Sequence, residues 1–361
     1  MSARMWLTCL PIIIGLALAL ASCTHDKFIA PMPMAQMPRG DPRFIPPESH
    51  LELVVRGDDL GIVFTEGVAV GCDGNVYFSD ITFTHRKASH TLRGTVLAGV
   101  IWVYNPKTKV TRVFRSPSGM SNGIKFDADC NMVTAEGADF GGRRIIRTDM
   151  RTGVSEIVTA LYEGLPYNSP NDLTIDARGR IYFSDPRFVG HERVWFDVMA
   201  VYRIDPEGSV VRILSTIRKP NGLAVSPDHK TLYVVERGNR RQAWEFYDPE
   251  TSGPEPSMGL LAYDLQPDGS ASFRDVLVNY GSIYGADGLV VDTEGNLWVA
   301  VQDKARLGIY AYTPDGEEKA YIPTPRPTNV GLGRGRHSNV LYITAANNLY
   351  RITVGKRGYH L

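Results

Sequence analysis

From Glu66 onward the chain alternates short apolar runs with tight polar turns, and one phrase returns six times. It reads Glu66-Gly-Val-Ala-Val, Asn122-Gly-Ile-Lys-Phe, Asn171-Asp-Leu-Thr-Ile, Asn221-Gly-Leu-Ala-Val, Asp287-Gly-Leu-Val-Val and a degraded Asn329-Val-Gly-Leu. Each is followed by a turn (Asp73-Gly74, Arg178-Gly179, Glu294-Gly295) and a second apolar run such as Val76-Tyr-Phe-Ser-Asp80 or Ile181-Tyr-Phe-Ser-Asp185. Period-two runs joined by such turns predict β-hairpins. Third strands are predicted at Ile101–Tyr104, Arg144–Arg147, Ala200–Ile204, Leu260–Tyr263, Gly308–Tyr312 and Asn348–Ile352, with a fourth in most units. A repeat at this period means units that bury their apolar faces only against one another. Six units of four strands predict an all-β, six-bladed propeller. The last unit lacks an outer strand, and Leu51–Val55 is placed to supply it and close the ring. Amphipathic helices that would suit a barrel of alternating strands and helices are not visible, and Gly-His…Trp-Asp repeats are missing.

Ahead of the repeats, Arg4 precedes an apolar run from Met5 to Ala21 that ends in Leu20-Ala-Ser-Cys23. The run is long enough for an uncleaved membrane anchor. Small residues before a Cys resemble instead the lipobox of bacterial lipoproteins, and this is the expectation adopted. Residues 1–22 are then a lipoprotein signal peptide, and 23–48 a lipidated Cys23 with a Pro-rich tether. Residues 49–361 are the propeller. Thr24 after the Cys favours the periplasmic face of a Gram-negative outer membrane, with contact to the membrane only through the lipid.

The 361 residues carry 39 Lys+Arg and 39 Asp+Glu, so nothing electrostatic argues for nucleic acid. A monomer is expected. Cys72 and Cys130 sit in equivalent turns of the first two units, as a disulfide between neighbours or as two structural thiols.

In a propeller the first strand of each blade lines the central channel. Glu66, Asn122, Asn171, Asn221, Asp287 and Asn329 would then ring one mouth. Any single Asn or Asp before Gly is also an ordinary turn signal. Glu66 does not fit that account. Converging carboxylates repel one another unless a cation neutralises them, and an all-oxygen donor set suits Ca2+, with Mg2+, Mn2+ or Zn2+ as alternatives.

Asn168-Ser-Pro-Asn171-Asp-Leu-Thr-Ile-Asp176, Lys219-Pro-Asn221-Gly-Leu-Ala-Val-Ser-Pro-Asp228, Glu66-Gly-Val-Ala and Ala286-Asp287-Gly-Leu-Val-Val-Asp292 together resemble the senescence-marker-protein/gluconolactonase (regucalcin-like) family, which is related to diisopropylfluorophosphatase. The resemblance covers roughly residues 50 to 355. It implies a divalent metal, most often calcium, held by Glu66, Asn171, Asn221 and Asp287. It implies a hydrolase opening a sugar-type lactone, with Asp287 as general base or nucleophile and Asn122, Asn171, Arg143 and Asn329 contacting substrate. Organophosphate or ester hydrolysis at the same site, and a non-catalytic binding or scaffold propeller, are the competing readings.

Two departures bear on substrate. Family members often carry Glu-His-Gly before an Arg pair in the second blade, where this chain has Glu136-Gly-Ala-Asp-Phe-Gly-Gly-Arg143-Arg144. An insertion at 83–99 with His85, Arg86, Lys87 and His90 reads either as a lid or as a solvated loop. Gly119-Met-Ser121-Asn-Gly123 matches a nucleophile-elbow pattern but not its strand-to-helix setting, so Ser121 is expected in a loop. Asp127-Ala-Asp129-Cys130-Asn131 is expected as a hairpin turn rather than a calcium loop.

Overall fold

Six antiparallel sheets, each a four-stranded blade and one of them extended by a short fifth strand, stand around one axis in the computed structural model, which describes residues 37–238, 258–281 and 284–361. The inner strands are Thr65–Val70, Ser121–Phe126, Leu173–Ile175, Pro220–Val225, Ala286–Val291 and Pro327–Leu332. Each touches the next around the ring, and the last touches the first. The chain is an all-β six-bladed propeller. The third strands lie where the apolar pattern puts them, for example Val100–Asn105 and Asn348–Thr353.

Closure uses the N-terminal strand. Glu52–Val55 forms the outer strand of blade VI, with Glu52 opposite Arg351 and Leu53 opposite Tyr350. Ring closure leaves no inner edge open to another chain. Upstream, Arg39 and Gly40 pair with Tyr321 and Ala320 at the rim of blade V, and Phe44 and Ile45 are buried against blades V and VI.

Packing is blade against blade. Val133, Ala135 and Ile145 of blade II meet Leu173, Phe183 and Tyr202 of blade III in one cluster. Tyr167, Phe183 and Tyr202 have ring centroids 5.1–5.3 Å apart there, the spacing at which aromatic pairs attract beyond their buried area. Trp298, Tyr104 and Tyr182 are likewise fully buried, so the aromatic stripes are core. The outer strands face water, and Ala271–Asn279 is largely exposed.

The turns follow the expected chemistry. Gly74 adopts φ 78° in the first hairpin, a conformation that costs Gly little. Asp127–Asn131 is a turn, closed by Cys130 N–H donating to Asp127 O at 3.0 Å. Cys72 and Cys130 form a disulfide that staples the turns of blades I and II. Ser121 departs from expectation. It opens the inner strand of blade II, with its hydroxyl 3.2 Å from that of Ser79. The Gly-x-Ser-x-Gly run therefore leads into a strand, not a helix.

Candidate active site

One local device aims the phrase-opening residues into the channel. The inner strands of blades I, II, IV and V each carry a register shift at the opening dipeptide, between Glu66 and Val68, Ser121 and Ile124, Pro220 and Leu223, and Ala286 and Leu289. A bulge leaves two residues opposite one and re-aims a side chain. The glycine after each opening residue is explained by crowding. A Cβ on Gly67 would collide with the backbone of Asn122 and one on Gly222 with that of Asp287. These Asn-Gly and Asp-Gly pairs are therefore not left-handed turns. They are strand residues where neighbouring blades come closest.

Glu66, Asn122, Asn171, Asn221 and Asp287 consequently line one cavity of about 320 Å³ at this mouth. Asn329 sits deeper, where its Nδ2 donates to Asp172 Oδ2 at 3.3 Å. Arg143 lies at the rim, its Nη2 donating to Arg193 O at 3.3 Å, and does not line the cavity.

Asp287 is the most constrained of these groups. Its Oδ1 accepts from Asn221 Nδ2 at 2.5 Å, and its Oδ2 accepts from Gln302 Nε2 at 2.5 Å. Arg237 Nη1 stands 2.9 Å from Oδ2. Burial pushes the carboxyl up, and Arg237 and Arg326 pull it back toward the ionised form. Glu66 is pushed well above the usual range, first by burial and then by the charges of Asp287 and Asp172. Asn122 Oδ1 is buried and accepts no hydrogen bond. Among the described residues no trio of His, Cys, Asp or Glu gathers closely enough to hold a metal alone, so any cation here would depend on amide oxygens as well.

Residues 64–347 match the family described as SMP-30/Gluconolactonase/LRE-like region. The chain belongs to that family. It is 31% identical over 245 residues to a gluconolactonase of Zymomonas mobilis, the match covering 66% of this chain and 64% of that protein. The fold is shared with a solved gluconolactonase of Xanthomonas campestris (TM-score 0.69, 24% identity, 88% of this chain and 94% of that one). It is shared also with a calcium-binding regucalcin of Agrobacterium tumefaciens (TM-score 0.63, 17% identity, 85% and 95%).

Within that family frame, several residues at this mouth escaped the reading of the repeats. Gln302 is a junction. Its Nε2 donates to Asp287 and to Pro327 O at 2.7 Å, while its Oε1 accepts from Arg326 Nε at 2.9 Å and Arg237 Nη2 at 3.2 Å. Asp172 stands where four other copies have glycine, and so places a third carboxylate near the channel axis, within the field of Glu66 and bonded to Asn329 from across the ring. A signal for the cations exists: Lys219-Pro220 and Arg326-Pro327 both precede an opening Asn. Lys219 is buried and held down to about 8 by burial and by Arg237. Asp80 and Asp185 end the two Phe-Ser-Asp runs and fix the segments that enter the site. Asp185 accepts from Asn168 N and Ser169 N at 2.8 and 2.6 Å, and Asp80 accepts from Val63 N and Phe64 N at 2.9 Å each.

The 83–99 insertion divides in two. Phe83, His85 and Arg86 at its root form a wall of the cavity, and Leu92 at its tip is exposed. Thr84 ties the root to the next blade through Asp139, with N–H and hydroxyl each 2.7 Å from its carboxylate. Glu192 then holds Asp139 N and Phe140 N at 3.1 and 2.6 Å, which interlocks three loops around the mouth. The insertion at 238–258 lies almost wholly outside the described residues.

Proposed function

We propose that this protein is a metal-dependent hydrolase that opens small lactones at the Glu66/Asp287 mouth of the ring. The observation that carries the reading is the convergence of Glu66, Asn171, Asn221 and Asp287 on one cavity in a chain of this family. The gluconolactonase name of the Zymomonas mobilis relative supports lactones as the substrate class.

The residues present fit a hard divalent cation. Two carboxylates face one cavity, and burial, then their mutual repulsion, raises Glu66. Asn122 Oδ1 is an orphaned acceptor beside them. The nitrogen of Asn221 is already committed to Asp287, which leaves its oxygen as the ligating atom. Glu66, Asn171, Asn221 and Asp287 would hold the ion, with calcium favoured by the all-oxygen set and by the calcium-binding regucalcin of the same fold. Bound there, it supplies Lewis-acid polarisation of the lactone carbonyl.

The chain's own groups do the rest. Asp287 takes the proton of the water as its oxygen bonds to the lactone carbonyl carbon, and returns a proton to the ring oxygen as the acyl C–O bond breaks. Arg237 keeps it ionised despite burial, and Gln302 fixes the direction of its lone pairs. Asn122 and Asn171 border the substrate's space. Asn329 and Arg143 act at one remove, through Asp172 and the rim loops respectively. The competing scaffold reading gives no reason for a base clamped by three donors in an open cavity.

Residues 1–22 are proposed as a cleaved signal and Cys23 as a lipidated anchor to a bacterial envelope, both outside the described residues. Among the described residues no helix is long and apolar enough to cross a membrane. Acid release from a panel of γ- and δ-lactones and phosphotriesters, by protein supplied with calcium, tests the function. Turnover of lactones is expected. Turnover of phosphotriesters alone would reassign the substrate class, and turnover of neither would refute the enzyme reading.

A further inference from the structure

The floor of the cavity is polar and its upper wall is not. Phe64, Ile81, Phe83, Met120 and Phe188 make much of that wall, and a polyol lactone has little use for such a surface. Set into it are two guanidiniums of a different kind from Arg237. Arg86 is half-buried and lies over the rings of Phe64 and Phe83, 4.8 and 4.7 Å from their centroids. Arg326 lines the same cavity, where its charge is felt at Asp287; among the described residues it forms no ion pair, and its Nε is held by Gln302 Oε1. Among the described residues no carboxylate pairs with Arg86 either. Burial, then the charge of Arg326, holds Arg86 below its ordinary value.

Two like charges on the lining of one cavity, Arg86 half-buried and Arg326 more exposed, repel, and the arrangement is relieved by an anion that both can reach. The geometry points to a lactone substrate with an apolar arm that ends in an anionic group, the arm lying on the Phe64–Phe83 shelf and the anion between Arg86 and Arg326. The anion is a carboxylate or a phosphate monoester, both of which a guanidinium can grip through two N–H groups. This rests on the lactonase reading above and adds its specificity. The aromatic shelf serves twice: it orients the Arg86 guanidinium and it receives the apolar arm.

The test compares three γ-lactones that carry a phenyl arm with a para carboxylate, a para phosphate or a para methyl ester. Wild-type protein with calcium is expected to show kcat/KM at least about ten-fold higher for one or both anionic members than for the ester. Whichever anion ranks first names the group. In Arg86→Gln that preference should collapse toward unity. Equal rates on all three, or a preference that survives Arg86→Gln, would overturn the inference while leaving the lactonase reading intact. If no lactone turns over, calorimetry with a tetrahydrofuran analogue bearing the same arms still decides it. Tighter binding of an anionic analogue, lost in Arg86→Gln, supports the anion site, and equal binding of all three rejects it.

Discussion

The two mouths of the channel are built from opposite ends of the same six strands, and they are chemically unlike. At one end the strands begin, bulged, with Glu66, Asn122, Asn221 and Asp287 around about 320 Å³ of space. At the other they finish with Val70, Phe126, Ile175, Val225, Val291 and Leu332 around about 90 Å³, and the C-terminal residues Tyr359, His360 and Leu361 line it with them. Tyr359 OH is 2.9 Å from His229 Nε2, and His360 Nε2 is 2.8 Å from Gly333 O. The disulfide lies on this closed side, because the turns holding Cys72 and Cys130 follow the ends of inner strands. One end is stapled, narrower and mainly apolar, while the other is roomier and crowded with carboxylates and guanidiniums. A fold that must hold closely spaced buried carboxylates at one mouth gains from rigidity at the other.

Substitutions should separate the two ends. Asp287→Asn keeps shape and removes the base, so kcat on a lactone should fall by about 10³-fold with thermal stability little changed. An active, well-folded Asp287→Asn protein would refute the role of Asp287. Gln302→Leu acts through Asp287 and should lower kcat by about 10- to 100-fold, the scale of an orienting partner, while leaving KM nearly unaltered. A rise in KM alone would instead make Gln302 a substrate contact.

At the closed end, replacing Cys72 and Cys130 by Ala should cost about 2–4 kcal/mol of stability in a denaturant titration. Activity per folded molecule should not change. The smallest effects concern pH, and they run in opposite directions. Burial, then Arg334, holds His360 down to about 4. Its contribution is present above the ordinary histidine value and is lost as pH falls toward 4. His360→Gln should therefore flatten the acid limb of the melting-temperature profile. At the open end burial raises Asp185 to about 7. Its contribution is present below the ordinary aspartate value and is lost as pH rises through 7. Asp185→Asn should flatten that neutral limb, at the cost of one acceptor for Asn168 N or Ser169 N.

Most of the architecture was legible because a propeller is periodic. Alternation located the strands, and the missing outer strand of the last unit pointed to Glu52–Val55. The site was legible only as far as it shared that period. Glu66, Asn122, Asn171, Asn221 and Asp287 converge because each opens a copy. Gln302, Arg237 and Arg86 come from second strands, their ends or an insertion, and no repeat position announces them. Asn329 belongs to the degraded copy and bonds Asp172 rather than lining the cavity, and Arg143 belongs to an irregular loop to which repeat equivalence does not extend. The glycines carry a meaning beyond the turn chemistry that Asn-Gly and Asp-Gly suggest: they mark contact between blades. With that meaning, Asp172 in a glycine slot stands out as a carboxylate near the axis.

The central claim is that the open mouth opens lactones with a bound divalent cation. Calcium titrated into chelator-treated protein, while acid release from a lactone is followed, tests it most directly. The expected curve rises from a negligible baseline and saturates at one ion per chain. Full activity in excess chelator, unchanged by added calcium, would contradict it.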